Sequence, residues 1–240
     1  MCKKYTDAKN LIKMLVEEEK IHDAVGKITM QMADVSVIIK QRDVIGNVLQ
    51  EWIGELLKKR GFYFRTAIGQ TFPDFYFSES NSSNICEIKT FFSERGPGFD
   101  VAYFTGYIES LKTHPYRLDS DYIIFSYTHN ADTGNIGIDK IWHKKVWEIT
   151  GPTEEYSLNC QRKKGQIVNI RPVRWFSENA KNKPFESKEA FISALYNTYK
   201  EHTNELKKAK VWLNEVITGY CEFSGENRNL FETTVLNYNR

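Results

Sequence analysis

From Arg42 to Gly61 the chain reads RDVIGNVLQEWIGELLKKRG. Val44, Ile45, Val48, Leu49, Trp52, Ile53, Leu56 and Leu57 return every three or four residues, so they form one stripe along a helix. Gly61 supplies the stop. Beyond it the rhythm changes: Phe62–Arg65, Asp74–Ser78, Ile85–Phe91 and Asp121–Thr128 are short aromatic or β-branched runs that read as strands. A helix with a wide apolar stripe must bury it, and the strands beside it offer a sheet to bury it on. The expected class is therefore α/β (α+β), a central mixed sheet flanked by helices.

The rest of the sequence is read in the same way. Asp7–Glu19 places Ala8, Leu11, Ile12, Leu15 and Val16 at helical spacing, and Ala33–Lys40 reads as a strand. Phe99–His114 begins as strand and ends as helix, and Asn135–Gly151 is a strand followed by a helical turn. Gly165–Phe176 is strand-like but interrupted by Pro172, and a long helix runs from Ser187, a plausible N-cap, to about Ile217. The tail from Tyr220 is polar. With no repeat, low-complexity tract or clear linker, residues 1–240 are read as one domain. At 41% apolar and 14% aromatic the chain can fill a core without metal or disulfide support.

Several classes are excluded or disfavoured. Cys2, Cys86, Cys160 and Cys221 are scattered and have no zinc-like spacing, which fits a reduced protein. The N-terminus lacks an apolar leader and no stretch approaches a membrane span, so a soluble cytoplasmic location is expected. His22, His114, His129, His143 and His202 show no metal-ligand spacing. There is no P-loop, GxGxxG or GxSxG motif. Trp142, Trp147, Trp175 and Trp212 read as core or interface residues.

The chemistry concentrates in IGQTFPDFYFSESNSSNICEIKTFF, Ile68–Phe92. Asp74 follows Pro73 at the start of one strand, and ESNSSN is a turn-forming loop. In the next strand Glu87 and Lys89 share a face. An antiparallel hairpin can bring Asp74 near Glu87, in a register that the sequence does not set. Paired carboxylates suit a hard cation such as Mg²⁺, and an adjacent lysine can orient a water or stabilise charge growing on a phosphate. An acid two residues before a lysine is a weak signal alone. Asp7-Lys9, Glu18-Lys20, Glu186-Lys188 and Glu205-Lys207 repeat it on helical or terminal segments. Only Glu87-Lys89 lies in an apolar strand behind a Pro-Asp and a long helix. The plain alternative is a surface hairpin with a cross-strand salt bridge.

These residues, in this order, resemble the PD-(D/E)xK nuclease superfamily, and within it the EcoRV-like Type II restriction endonucleases. GQTFPDFYF and CEIKTFF carry the likeness, with FTGYIESL and the late helix beginning FESKEAF as weaker echoes. Within that group the chain resembles the NlaIV- and NgoBV-like enzymes, which read GGNNCC. The resemblance implies a Mg²⁺-dependent homodimer that cuts double-stranded DNA at a short symmetric site and leaves 5′-phosphates. It implies Asp74 and Glu87 as metal ligands, Lys89 as the catalytic lysine, and an acid on the preceding helix. Glu51 is taken for that last role, with Gln50 and Glu55 as alternatives. Residues 1–41 become a candidate dimerisation element. A cognate DNA methyltransferase is expected in the host, not as a physical partner.

Charge distribution supplies a DNA-facing candidate. The net charge is only +2, yet Gln161–Lys183 holds Arg162, Lys163, Lys164, Arg171, Arg174, Lys181 and Lys183 against Glu178 alone. Such an excess suits phosphate contacts. Arg171, Arg174, Lys181 and Lys183 are the expected backbone contacts, and Asn179 and Asn182 the candidates for base edges. Residues 161–186 are therefore the candidate recognition region. Gln70 precedes Asp74, while Thr90 and Arg95 follow the catalytic strand, and all three are expected near DNA. The rival readings are a structure-specific or repair nuclease on the same core, and a DNA-binding protein that does not cut.

Overall fold

The structure is a computed structural model that describes residues 3–69 and 71–238. Gln70 lies outside the described residues. In chain order the elements are α1 (Ala8–Lys13), β1 (Val25–Gly26), β2 (Ile28–Met32), β3 (Val35–Ile39), α2 (Ile45–Lys59), β4 (Phe75–Tyr76), β5 (Ile85–Phe92), β6 (Ala102–Tyr103), α3 (Phe104–Thr113), β7 (Asp121–His129), β8 (Ile136–Lys144), β9 (Cys160–Lys163), β10 (Gln166–Ile170), α4 (Lys188–Thr203), α5 (Leu206–Ser224) and α6 (Arg228–Asn237). They fall into two compact units. One comprises Met1–Pro97 and Ser120–Lys144, the other Gly98–Asp119 and Lys145–Arg240.

The first unit is built on a five-stranded sheet in the order β1-β8-β7-β5-β4. β5 and β7 run parallel and the other pairs are antiparallel, so the sheet is mixed. β5 and β7 are buried along most of their length, as central strands of a covered sheet must be. Helix α2 buries Ile45, Ile53, Leu56 and Leu57, each worth about 1.5–3 kcal/mol when fully removed from water. It approaches the sheet closely through its glycines. A Cβ on Gly46 would stand 2.9 Å from Thr90 Oγ1, and one on Gly54 would touch Phe75. The predicted stripe is only partly buried, because Val48 and Trp52 remain exposed. Asp7 caps α1 by accepting from the Asn10 N–H at 2.8 Å, and α1 runs on as a wider turn over Met14–Glu18. β2 and β3 form a separate antiparallel hairpin.

The second unit holds a three-stranded sheet, β6-β10-β9, and helices α3 to α6. Trp212 of α5 is buried and donates its indole N–H to the Ile108 carbonyl of α3 at 2.9 Å.

Three expectations are corrected, and one element is added. Phe62–Arg65 forms isolated bridges, Lys4 to Phe62 and Arg65 to Tyr76, in place of a strand. The strand expected over Asp74–Ser78 pairs only at Phe75–Tyr76. The long helix from Ser187 is two helices, broken where Asn204 takes a left-handed φ of 54° and ends α4. The polar tail contains α6, capped by the Asn227 side chain, which accepts from the Leu230 N–H.

Candidate active site

The site follows from strand geometry. β4 and β5 pair with Phe75 opposite Cys86 and Tyr76 opposite Ile85. Continuing that register by one residue sets Asp74 opposite Glu87, on the same face of the sheet. Phe75, Cys86, Ile88 and Thr90 take the other face, the one that α2 covers. A shift of one residue would have exchanged the two faces.

Hydrogen bonds hold the pair in place. Asp74 Oδ2 accepts from the Ile88 N–H at 2.7 Å, and the Asp74 N–H donates to Glu87 Oε2 at 3.3 Å. Lys89 Nζ donates to Glu87 Oε1 at 2.8 Å, and both side chains are largely shielded from water. Burial pushes the Asp74 carboxyl up to about 7, and the negative charge of Glu87 adds to the push. The Ile88 N–H and the Lys89 ammonium oppose it. Two carboxylates held this close, with one cation bonded to Glu87, favour a further positive charge. Among the described residues no cluster of three or more His, Cys, Asp or Glu side chains could hold a metal. Two carboxylates with oxygen-only chemistry still fit a hard divalent cation, which completes its shell with water and phosphate oxygens.

Glu51 does not join this group. It is exposed on α2 and forms no hydrogen bond or ion pair with Asp74, Glu87 or Lys89. Glu55 is also exposed and is paired with Lys58 at 3.0 Å. Gln50 is half-buried and lies at the i+4 position between Gly46 and Gly54, the two residues that meet Thr90 and Phe75. Thr90 therefore faces α2, and Arg95 is exposed beyond the end of β5.

A scan of family models matches residues 5–233 to the NgoBV restriction endonuclease family. The chain belongs to this family. It is 39% identical over 216 residues to the Type II restriction enzyme NlaIV of Neisseria lactamica, covering 89% of this chain and 88% of that one. It is 36% identical over 169 residues to the Type II restriction enzyme NgoBV of Neisseria gonorrhoeae, covering 69% and 95%. The solved structure of the NlaIV restriction endonuclease superposes with a TM-score of 0.87 at 37% identity over 93% of this chain and 92% of that one. The chain is thus a Type II restriction enzyme of the NlaIV/NgoBV kind, with a restriction-endonuclease-like core.

In the second unit the basic segment is less free than its sequence suggests. Arg162 makes a two-pronged pair with Glu201 at 2.7 and 3.0 Å. Arg171 pairs with Asp100 at 3.0 Å, and Lys181 with Glu154 at 2.6 Å. Lys183 donates to the backbone carbonyls of Ser177 and Glu178. Lys163, Lys164 and Arg174 form no ion pair among the described residues. Asn179 is exposed and Asn182 half-buried. Glu201, Asp100 and Glu154 lie outside the segment, which is why a local charge count could not reveal them.

Proposed function

We propose that this restriction enzyme is a Mg²⁺-dependent homodimer of the PD-(D/E)xK type. It hydrolyses both strands of a short symmetric duplex site and leaves 5′-phosphate ends. The observation that carries this reading is Asp74 opposite Glu87, with Lys89 bonded to Glu87, on one face of a buried strand. Mg²⁺ supplies Lewis-acid stabilisation of the phosphate and favours ionisation of a water. Asp74 and Glu87 would hold it. The Ile88 N–H fixes one oxygen of Asp74, which leaves the other to face the ion. Lys89 stands within reach of the same centre and offers an ammonium to the attacking water or to the growing charge on the phosphate. The rest of the machinery is positioning. Arg174 is exposed and unpaired, ready to contact a backbone phosphate, while Arg171 and Lys181 would exchange Asp100 and Glu154 for DNA.

The homodimer reading draws support from the β2–β3 hairpin. Between Lys27 and Lys40 its only charged residue is Asp34, and both strands are almost wholly exposed. An isolated apolar hairpin of this kind is marginal in water.

The test is incubation of the purified protein with long duplex DNA, with Mg²⁺ and with EDTA. Discrete fragments only with Mg²⁺, carrying ligatable 5′-phosphates, are expected. Intact DNA in both lanes, from folded protein, would refute the proposed mechanism.

A further inference from the structure

In the first unit a cleft opens where β5 and β7 end and the segment leading into α2 begins. Lys40, Arg42, Asp43, Glu94, Arg95 and His129 line it. Three of these are permanent cations, and none of the three makes an ion pair among the described residues. Asp43 and Glu94 share the cleft yet pair with none of them, so the cations are not neutralised by direct contact. Arg42 is held in place by its surroundings. Its guanidinium lies 4.5 Å over the Phe92 ring, Phe92 packs against Tyr127, and the Tyr127 hydroxyl donates to the Arg42 carbonyl at 3.4 Å. A guanidinium held over an aromatic ring can still offer N–H groups to an anion. His129 Nε2 is buried without a hydrogen-bond partner among the described residues. Helix α2 begins here without a side-chain cap, with Asp43 just ahead of its first turn.

The geometry points to a backbone-phosphate site in this cleft, with Lys40, Arg42 and Arg95 as its cations. The ligand is the phosphodiester backbone of duplex DNA flanking the cut, so the inference rests on the nuclease reading above. The cleft stands at the end of the strand that carries Glu87 and Lys89. Phe92 lies three residues beyond Lys89, an odd step that sets it on the face of the sheet that α2 covers. Cations fixed at that strand end would hold flanking backbone against the first unit.

The experiment measures kcat/KM for duplex cleavage between 50 and 200 mM salt. Wild type is compared with a variant carrying Lys40→Gln, Arg42→Gln and Arg95→Gln, and each is checked for folding by thermal melting. Each lost phosphate contact lowers the log–log salt slope by about 0.9. The triple variant is expected to lose about 2 to 3 from the slope and at least tenfold in kcat/KM at low salt. Arg42→Gln alone should lose about one, and Arg42→Lys should regain most of it. Neutralising Lys9, Lys13 and Lys58 instead should leave the slope as it is. An unchanged slope in a folded triple variant, beside an active wild type, overturns the phosphate site and leaves the nuclease reading standing. A folded variant that cuts at no DNA concentration would put these residues in the chemistry and also overturn it. A wild type that never cuts refutes both.

Discussion

Asp74 is where function and stability pull apart. Its carboxyl titrates near 7 in the folded protein, against a usual value near 3.8. The folded state therefore holds a proton through that window that the unfolded chain has already released. Stability contributed by the neutral form is present below about pH 4 and is lost as pH rises through 7. The full displacement corresponds to roughly 4 kcal/mol, and residual solvent access reduces it to about 2 kcal/mol at pH 8. Asp74→Asn should therefore melt higher than wild type at pH 8 in EDTA, lose that advantage at pH 4, and cut no DNA. Equal melting at both values would show that the carboxylate pair is not strained. Lys89→Ala removes the cation that faces Glu87. Cleavage should fall at least 10³-fold while duplex binding in EDTA changes little, measured by single-turnover digestion and by anisotropy. Loss of binding in step with cleavage would move Lys89 out of the chemistry.

At the scale of elements, the anchoring of the basic segment is testable without DNA. Gly151 packs against its far end: a Cβ there would stand 2.1 Å from the Lys183 carbonyl oxygen, and the Phe185 N–H donates to the Thr150 carbonyl at 2.9 Å. Backbone cannot step aside as a flexible side chain can. Gly151→Ala should cost about 1–3 kcal/mol in urea unfolding. A neutral result would show the 161–186 region to be loosely attached. The same scale shows what the sequence made legible. β5, β7, α2, and the change from strand to helix at β6–α3 each carry a strong local period, and each is legible within a few residues. The shared face of Glu87 and Lys89 is legible too, because alternation alone puts them together. The Asp74 register is not, since it depends on a two-residue pairing with β5. The break at Asn204 is hidden because apolar spacing runs through it, although asparagine is a known left-handed terminator. α6 is hidden because its apolar face is sparse: only Phe231 and Val235 are buried. Its Asn227 cap, just after the Gly225 stop, is the available signal. The choice between Glu51 and Gln50 is not legible: Glu51 is exposed, and Gln50 is half-buried on the helical row between Gly46 and Gly54.

For the molecule as a whole, net charge says little and its partners say more. Much of the 161–183 excess is held by acids distant in sequence, whereas three cations in the cleft beside α2 form no ion pair among the described residues. The apolar surface argues in the same way. Val25, Met30, Met32, Val35, Val37, Ile38, Val48 and Trp52, all in the first unit, are each 39–68% exposed. Met30 pairs with Val37 and Met32 with Val35, so these four exposed side chains share one face of the hairpin. The hairpin has unpaired edges on both sides and a methionine-rich, nearly uncharged surface, the composition of an interface core. The proposed two-strand cut at a symmetric site calls for a second copy of this chain as the occupant, and two-fold symmetry would let one hairpin meet its twin. Val37→Glu combined with Met32→Glu buries nothing in the monomer, so the fold should survive. Sedimentation should shift from dimer to monomer, and at low protein concentration products should pass from double-strand breaks to nicks. A double variant that still sediments as a dimer and cuts both strands would place the interface elsewhere and leave the exposed hairpin to another partner.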